Sequence, residues 1–244
     1  MTQRGLSRYW ALSSDLTALG PFFAVETHAR GESMPPQWQP MTTLMADSGA
    51  LAARVEAVRS ALAHRAGRQP DDVEIRVAAS VAHLGLIARL LAPAIGAIAL
   101  GHRPVSLSLD DLWWQNTLGG PYPLSVTPGS ATQVRGPGLA VEAVTVAITE
   151  HYGVSQHVLW GNIGSAATSA ARLISAAQSR SGHRSDGILT DPRQQPRQQL
   201  DVGQQPVGIG RTRQGGLQYF PITHSAGRTG RVGAAAIEMA HLIR

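Results

Sequence analysis

Arg76, Ser80 and His83 interrupt an apolar stretch at i, i+4 and i+7, which puts the three polar side chains on one stripe of a helix. An arginine and a histidine on such a stripe offer charge-assisted hydrogen bonds to an anionic ligand. The bland alternative is a core histidine satisfied from within and an arginine at the helix rim. A second stretch, residues 155–178, presents Asn162, Ser165, Ser169 and Arg172 on one side and Trp160, Ile163, Ala167 and Ile174 on the other. Between them Gly161, Gly164, Ala166 and Ala170 let another backbone or a ligand approach closely. Asparagine is a poor helix former because its amide competes for backbone hydrogen bonds, so Asn162 either orients a ligand or pins a neighbouring segment. The candidate ligand-binding set is Arg76, Ser80, His83, Trp160, Asn162 and Arg172, with no residue given a catalytic role.

Other chemistries find less support. Trp113 and Trp114 could stack on an aromatic group, though such a pair more often splits between core and surface. His83, His102, His151 and His157 include no pair at close ligand spacing on one helix, so no metal site is expected. The glycines of GIGRTRQGG do not belong to a GxxxxGK[ST] phosphate loop. Ser125, Ser155 and Ser165 lack the context of a nucleophile elbow, which argues against a hydrolase triad. The chain contains no cysteine, which removes disulfides and thiolate metal sites.

The elements that must position these residues follow from pattern and punctuation. Residues 1–20 suggest a short helix or irregular arm, with Leu6, Trp10 and Leu16 available to dock on a core. Pro21, Pro35, Pro36 and Pro40 predict extended segments and turns over 21–42. Leu51, Val55, Val58 and Leu62 predict a surface helix over 45–66, closed by Gly67, and Pro70 with Asp71 and Asp72 opens the next element. Residues 74–92 form a strongly apolar, central helix that Pro93 should break or kink before a shorter helix ending at Gly101. The alternation of Val105, Leu107 and Leu109, the Trp pair and a Gly119-Gly120-Pro121 turn predict a small β-hairpin or sheet over 104–127. A helix over 139–152 stops at Gly153, and Ser155 caps a long helix reaching about residue 178.

At 244 residues and 43% hydrophobic content, the chain fits one domain with a sizeable core plus a tail. The expected fold class is α+β: a predominantly helical single domain, 1–190, with a small β-hairpin or sheet, followed by a Gln/Arg/Gly-rich irregular tail, 191–244. Within the apolar run 77–100, His83, Arg89 and Pro93 argue for core helices and no membrane span, since a central arginine costs roughly 2.5 to 3.5 kcal/mol on insertion. The N-terminus carries no apolar run followed by a small-residue cleavage site, so a cytoplasmic location is expected. The net charge of +5 is concentrated in the tail: residues 192–244 hold seven arginines against Asp201 and Glu238, a difference of 7 − 2 = 5. Residues 1–191 balance fourteen arginines with fourteen carboxylates. Nucleic-acid binding through the basic tail is therefore a weak alternative. Most of residues 180–218 are too polar to offset ordering entropy and are expected to be disordered or irregular, while 231–244 suggest one small helix around Ile237, Met239 and Leu242.

Residues 76–101 (RVAASVAHLGLIARLLAPAIGAIALG), the GGPYPL turn at 119–124 and residues 158–174 (VLWGNIGSAATSAARLI) resemble signature regions of the FhuF-like ferric-siderophore reductases. The resemblance spans about residues 20–191. It implies a cytoplasmic, bacterial protein of iron acquisition that recognises an Fe(III)-siderophore, takes electrons from a donor protein onto a [2Fe-2S] cluster and releases Fe(II). In that family four C-terminal cysteines, beginning in an Arg-Ser-Cys-Cys run, hold the cluster; here RVGAAA, residues 231–236, stands in that place. A shifted reading frame of those codons permits Arg-Ser-Cys-Cys, so a frame-shifted tail is one expectation, which the coding DNA decides. Iron-sulfur clusters depend on thiolate ligands. The expectation is thus no cofactor as written, with chelate recognition retained and electron transfer lost; the alternative is a redox-silent siderophore-binding or protein-interaction module.

Overall fold

The computed structural model describes residues 3–46, 49–103, 105–127 and 139–186. Helix α1 (Gln3–Leu19) leads into two short strands, β1 (Glu26–Thr27) and β2 (Gln39–Pro40), and then into α2 (Ala50–Ala66) and α3 (Ile75–Ala99). Strands β3 (Leu112–Trp114) and β4 (Leu124–Val126) follow, then α4 (Ala140–Tyr152) and α5 (Gln156–Asp186). The sheet has the order β1-β4-β3-β2; β1 runs parallel to β4, while β3 is antiparallel to both of its neighbours. The result is the expected mainly helical α+β architecture.

α3 is the axis of the domain. It is buried on most sides from Ala78 to Ala99 and packs against α1, α2, α4 and α5. By length and composition this helix could cross a membrane, yet most of it is enclosed by the protein. The break expected at Pro93 does not occur: α3 is one helix through that residue. Proline deletes the bond to the Arg89 carbonyl and costs about 3 kcal/mol in a helix interior. Continuity is favoured because the turns beyond it, Ala94 to Ala97, are fully enclosed. There α1 closes on Gly96, where an added Cβ would stand 2.9 Å from both Leu16 and Phe23. A helix that stopped at Ala92 would leave this seat unfilled.

The remaining boundaries follow local chemistry. α2 ends at Gly67 with φ 63°, its N–H bonding back to Ala63 and His64, and α4 ends at Gly153 with φ 62°. Leu51 and Val55 bury the inner face of α2 as their spacing predicts. Ser155 Oγ accepts the Val158 N–H at 3.4 Å at the start of α5. This helix continues to Asp186, past the end expected near residue 178. Ile174 and Ala177 anchor its last buried turns, and propagation beyond them needs no new nucleus. α1 buries Leu12, Leu16 and Leu19; the side chains of Leu6 and Trp10 fall outside the described set. The predicted hairpin is β3 and β4, but Val105 and Leu107 are buried ahead of it in irregular backbone, and Leu109 starts a single 3₁₀ turn. Trp114 is buried and Trp113 half-buried, as alternation along a strand requires. The expected irregular tail and the small helix over 231–244 lie outside the described residues.

Candidate functional site

Three of the six candidate residues meet where α3, α4 and α5 come together. The Asn162 amide, on α5, donates to the Ser80 carbonyl at 3.0 Å and approaches Ser80 Oγ at 3.2 Å. Its nitrogen also lies 3.4 Å from His83 Nδ1. On the other side of the ring, His83 Nε2 lies 3.0 Å from Thr145 Oγ1 on α4. That hydroxyl uses its own proton on the Val141 carbonyl at 2.7 Å, so it must accept from Nε2–H, and Nδ1 is left as the acceptor facing Asn162. The geometry therefore selects one neutral tautomer. Burial pushes the His83 pKa down to about 4, because nothing in this apolar setting compensates an imidazolium. Thr145 was not among the sequence candidates; a threonine at an inner helix position was its only signal.

The other three candidates are not part of this network. Arg76 is exposed at the start of α3 and pairs with Glu74 at 2.9 Å. Trp160 is 44% exposed and lies about 160° around α5 from Asn162. Arg172 is exposed on α5, about 15 Å along the helix from Asn162.

A second polar centre, absent from the candidate set, lies between α3 and the sheet. Arg89 donates to the carbonyls of Tyr122 at 2.8 Å and Phe22 at 2.9 Å, and to that of Ala24. Arg54, from α2, donates to Asn116 Oδ1 at 3.2 Å and to the Thr117 carbonyl. Both guanidinium carbons approach the Tyr122 ring, at 5.4 Å for Arg54 and 5.9 Å for Arg89, within cation–π range. Arg54 Nε has no hydrogen-bond partner. Burial lowers both arginine pKa values and raises that of Tyr122, whose hydroxyl donates to the Leu86 carbonyl at 3.2 Å. An arginine inside the most apolar helix was the signal for Arg89. Arg54 had none, since α2 reads as a surface helix.

Around the sheet, His28 Nδ1 lies 2.9 Å from Ser125 Oγ and Nε2 lies 3.0 Å from Thr127 Oγ1. Burial lowers the His28 pKa, opposed by Glu32 and Asp111. The Asp111 carboxylate is engaged by Arg30 at 2.7 Å and by Ser106 at 2.8 Å. It does not orient His28, and Ser125 is fully buried, so this is not the geometry of a nucleophile and its base.

Among the described residues no group of three or more His, Asp or Glu side chains is arranged to hold a metal ion. His102 pairs instead with Asp15 at 2.9 Å. The donor set does not fit the four-thiolate cluster of the resembled family, because the chain has no cysteine. Comparison of the chain with protein-family models, with curated proteins and with solved structures gives no match.

Proposed function

We propose that this chain is a protein of the FhuF-like ferric iron (siderophore) reductase family that recognises an Fe(III)-siderophore in iron acquisition and has lost electron transfer. One observation carries the proposal: of the three segments that bear the resemblance, far apart in sequence, the first bonds directly to each of the other two. Arg89 of the first segment donates to the Tyr122 carbonyl in GGPYPL, and the Tyr122 hydroxyl donates back to Leu86. Asn162 of the third segment bridges to Ser80 of the first. Buried and part-buried polar pairs of this kind fix one arrangement of the helices, as a scaffold retained from such a family requires. The loss of electron transfer rests on the missing thiolates alone.

In this proposal the chelate meets the exposed Arg172, a cationic donor of the kind an anionic or hydroxamate chelate needs; Arg76 is engaged by Glu74, and the exposed Trp160 ring, on another side of α5, is an optical reporter. His83 supplies no positive charge near neutral pH, because it is held neutral between α4 and α5. The protein then works in the cytoplasm on a small-molecule chelate.

Titration of the purified chain with Fe(III)-hydroxamate and Fe(III)-carboxylate siderophores tests this, followed by tryptophan fluorescence and visible absorption. The expected result is saturable quenching, weakened about tenfold in Arg172→Ala, the loss of one charge-assisted contact, with no cluster band and no EPR signal after reduction. Absence of saturable binding overturns chelate recognition; a cluster band overturns the loss of electron transfer.

A further inference from the structure

Arg54 and Arg89 face the same Tyr122 ring, yet their hydrogen bonding is unequally complete. Arg89 uses Nε, Nη1 and Nη2, each on a different carbonyl. Arg54 is also enclosed, at 6% exposure, but both of its bonds, to Asn116 Oδ1 and to the Thr117 carbonyl, leave from Nη1. Its Nε is buried with no acceptor, and among the described residues Nη2 donates to none either. Nε and Nη2 form the side-on edge of a guanidinium, two parallel N–H groups that match the two oxygens of a carboxylate.

Charge points the same way. Arg30, Arg59 and Arg76 each pair with a carboxylate, whereas among the described residues neither Arg54 nor Arg89 does. Burial lowers the pKa of both, opposed by Tyr122. Burial in turn raises the Tyr122 pKa, so its hydroxyl carries no negative charge near neutral pH. Buried cations without a counter-ion are costly, and an orphaned buried donor calls for a partner from outside the chain.

We propose that the Nε–Nη2 edge of Arg54 is a binding site for a small carboxylate, held between α2 and the loop that carries Asn116 and Thr117. One carboxylate oxygen accepts from Nε–H and the other from Nη2–H, and the bound charge offsets the two guanidiniums around Tyr122. The class follows from the donors that remain. Arg89 spends its own on carbonyls, so one planar fork faces the ligand: it satisfies two oxygens, while a tetrahedral dianion would keep oxygens and charge uncompensated. A halide offers a single atom to both N–H groups and binds more weakly. The small exposure of Arg54 limits the ligand to a short acid. This site uses no residue of the proposed chelate face and is independent of any iron chelate.

Nitrogen–proton NMR of the arginine side chains in the full chain, titrated separately with sodium acetate and sodium chloride, tests this. The Arg54 Nε–H signal, assigned by triple-resonance NMR, should shift saturably with acetate, and the thermal midpoint should rise with it, because the ligand binds only the folded chain. Arg54→Lys keeps the positive charge and loses the fork, so the apparent acetate affinity read from that midpoint should fall about tenfold or more. An Arg54 Nε–H signal unmoved by acetate in the wild-type chain overturns the proposal, whatever the variant does. An equal response to chloride overturns the carboxylate class, and an undiminished acetate effect in Arg54→Lys overturns the role of the fork.

Discussion

Where α3 meets α4 and α5 the buried nitrogen base is neutral, while on its sheet side two buried guanidiniums keep their charge. The difference lies in the supply of acceptors. Phe22, Ala24, Thr117 and Tyr122 belong to no helix or strand, so their carbonyls are free to receive a cation. On the helical side the carbonyls of Ser80 and Val141 already serve their own helices and accept only a second bond, from an amide and a hydroxyl. A permanent cation needs several acceptors; a histidine can instead give up its proton. The same chain thus places arginine where loops cross its central helix and histidine where only helices do.

The largest effect is expected on the sheet side. Arg89→Met should cost about 2 to 4 kcal/mol in urea unfolding, since one buried and two part-buried carbonyls lose their donor together. The loss should be the same at pH 6 and pH 8, because arginine does not titrate there. A cost below about 1 kcal/mol would mean that the three carbonyls find other donors and that Arg89 is not what joins the loops to α3.

The helical side should respond to pH instead. The folded pKa of His83, about 4, lies below the value of about 6.5 for an unfolded histidine. As pH falls through 6.5 the unfolded chain takes up a proton that the folded chain refuses, so stability is full above pH 6.5 and declines until the folded group titrates near pH 4. The total is about 3 kcal/mol. His28, also lowered, adds to the decline with the same sign. Urea midpoints for wild type and His83→Gln between pH 7 and pH 4 should therefore converge as the pH drops. Parallel curves would contradict a neutral, buried His83.

Asn162 sharpens the contrast between a bridging role and a purely steric one. Asn162→Ala removes the link between α5 and α3 and leaves His83 Nδ1 without its donor, for an expected loss of about 1 to 2 kcal/mol. Asn162→Gln keeps the amide but displaces it by one methylene, so it should recover less than half of that loss in the same urea measurement. Full recovery would show that the position tolerates any amide and fixes no geometry.

The helices were legible because α2, α3 and α4 have long apolar rows with glycine stops and α5 has an apolar row opened by Ser155, and Asn162 was legible as a helix position needing a reason. Pro93 misled because its local cost is visible in sequence, whereas the seat of α1 on Gly96 that outweighs it is not. Strands of two residues, β1 and β2, are too short to show a period. Thr145 was hidden because its partner His83 lies 62 positions away. Arg54 was hidden because only the 115–123 loop, from the far side of the sequence, turns a surface position of α2 into a buried one. Long-range polar pairs of this kind leave no local pattern.

Tyr122 gives the smallest and most discriminating change. Tyr122→Phe deletes the bond to the Leu86 carbonyl and should cost about 1 kcal/mol, because that carbonyl lies within α3 and the ring facing both guanidiniums remains. Tyr122→Leu also removes the ring, and the cation–π contacts with Arg54 and Arg89 add roughly 0.5 to 2 kcal/mol each when desolvated. Arg54 should feel this most, because both of its hydrogen bonds leave from Nη1 and its Nε has no acceptor, while the ring faces the guanidinium at 5.4 Å. In an Arg54→Met background the gap between the Phe and Leu variants should narrow; an unchanged gap would mean that the ring fills space and does nothing for the cation.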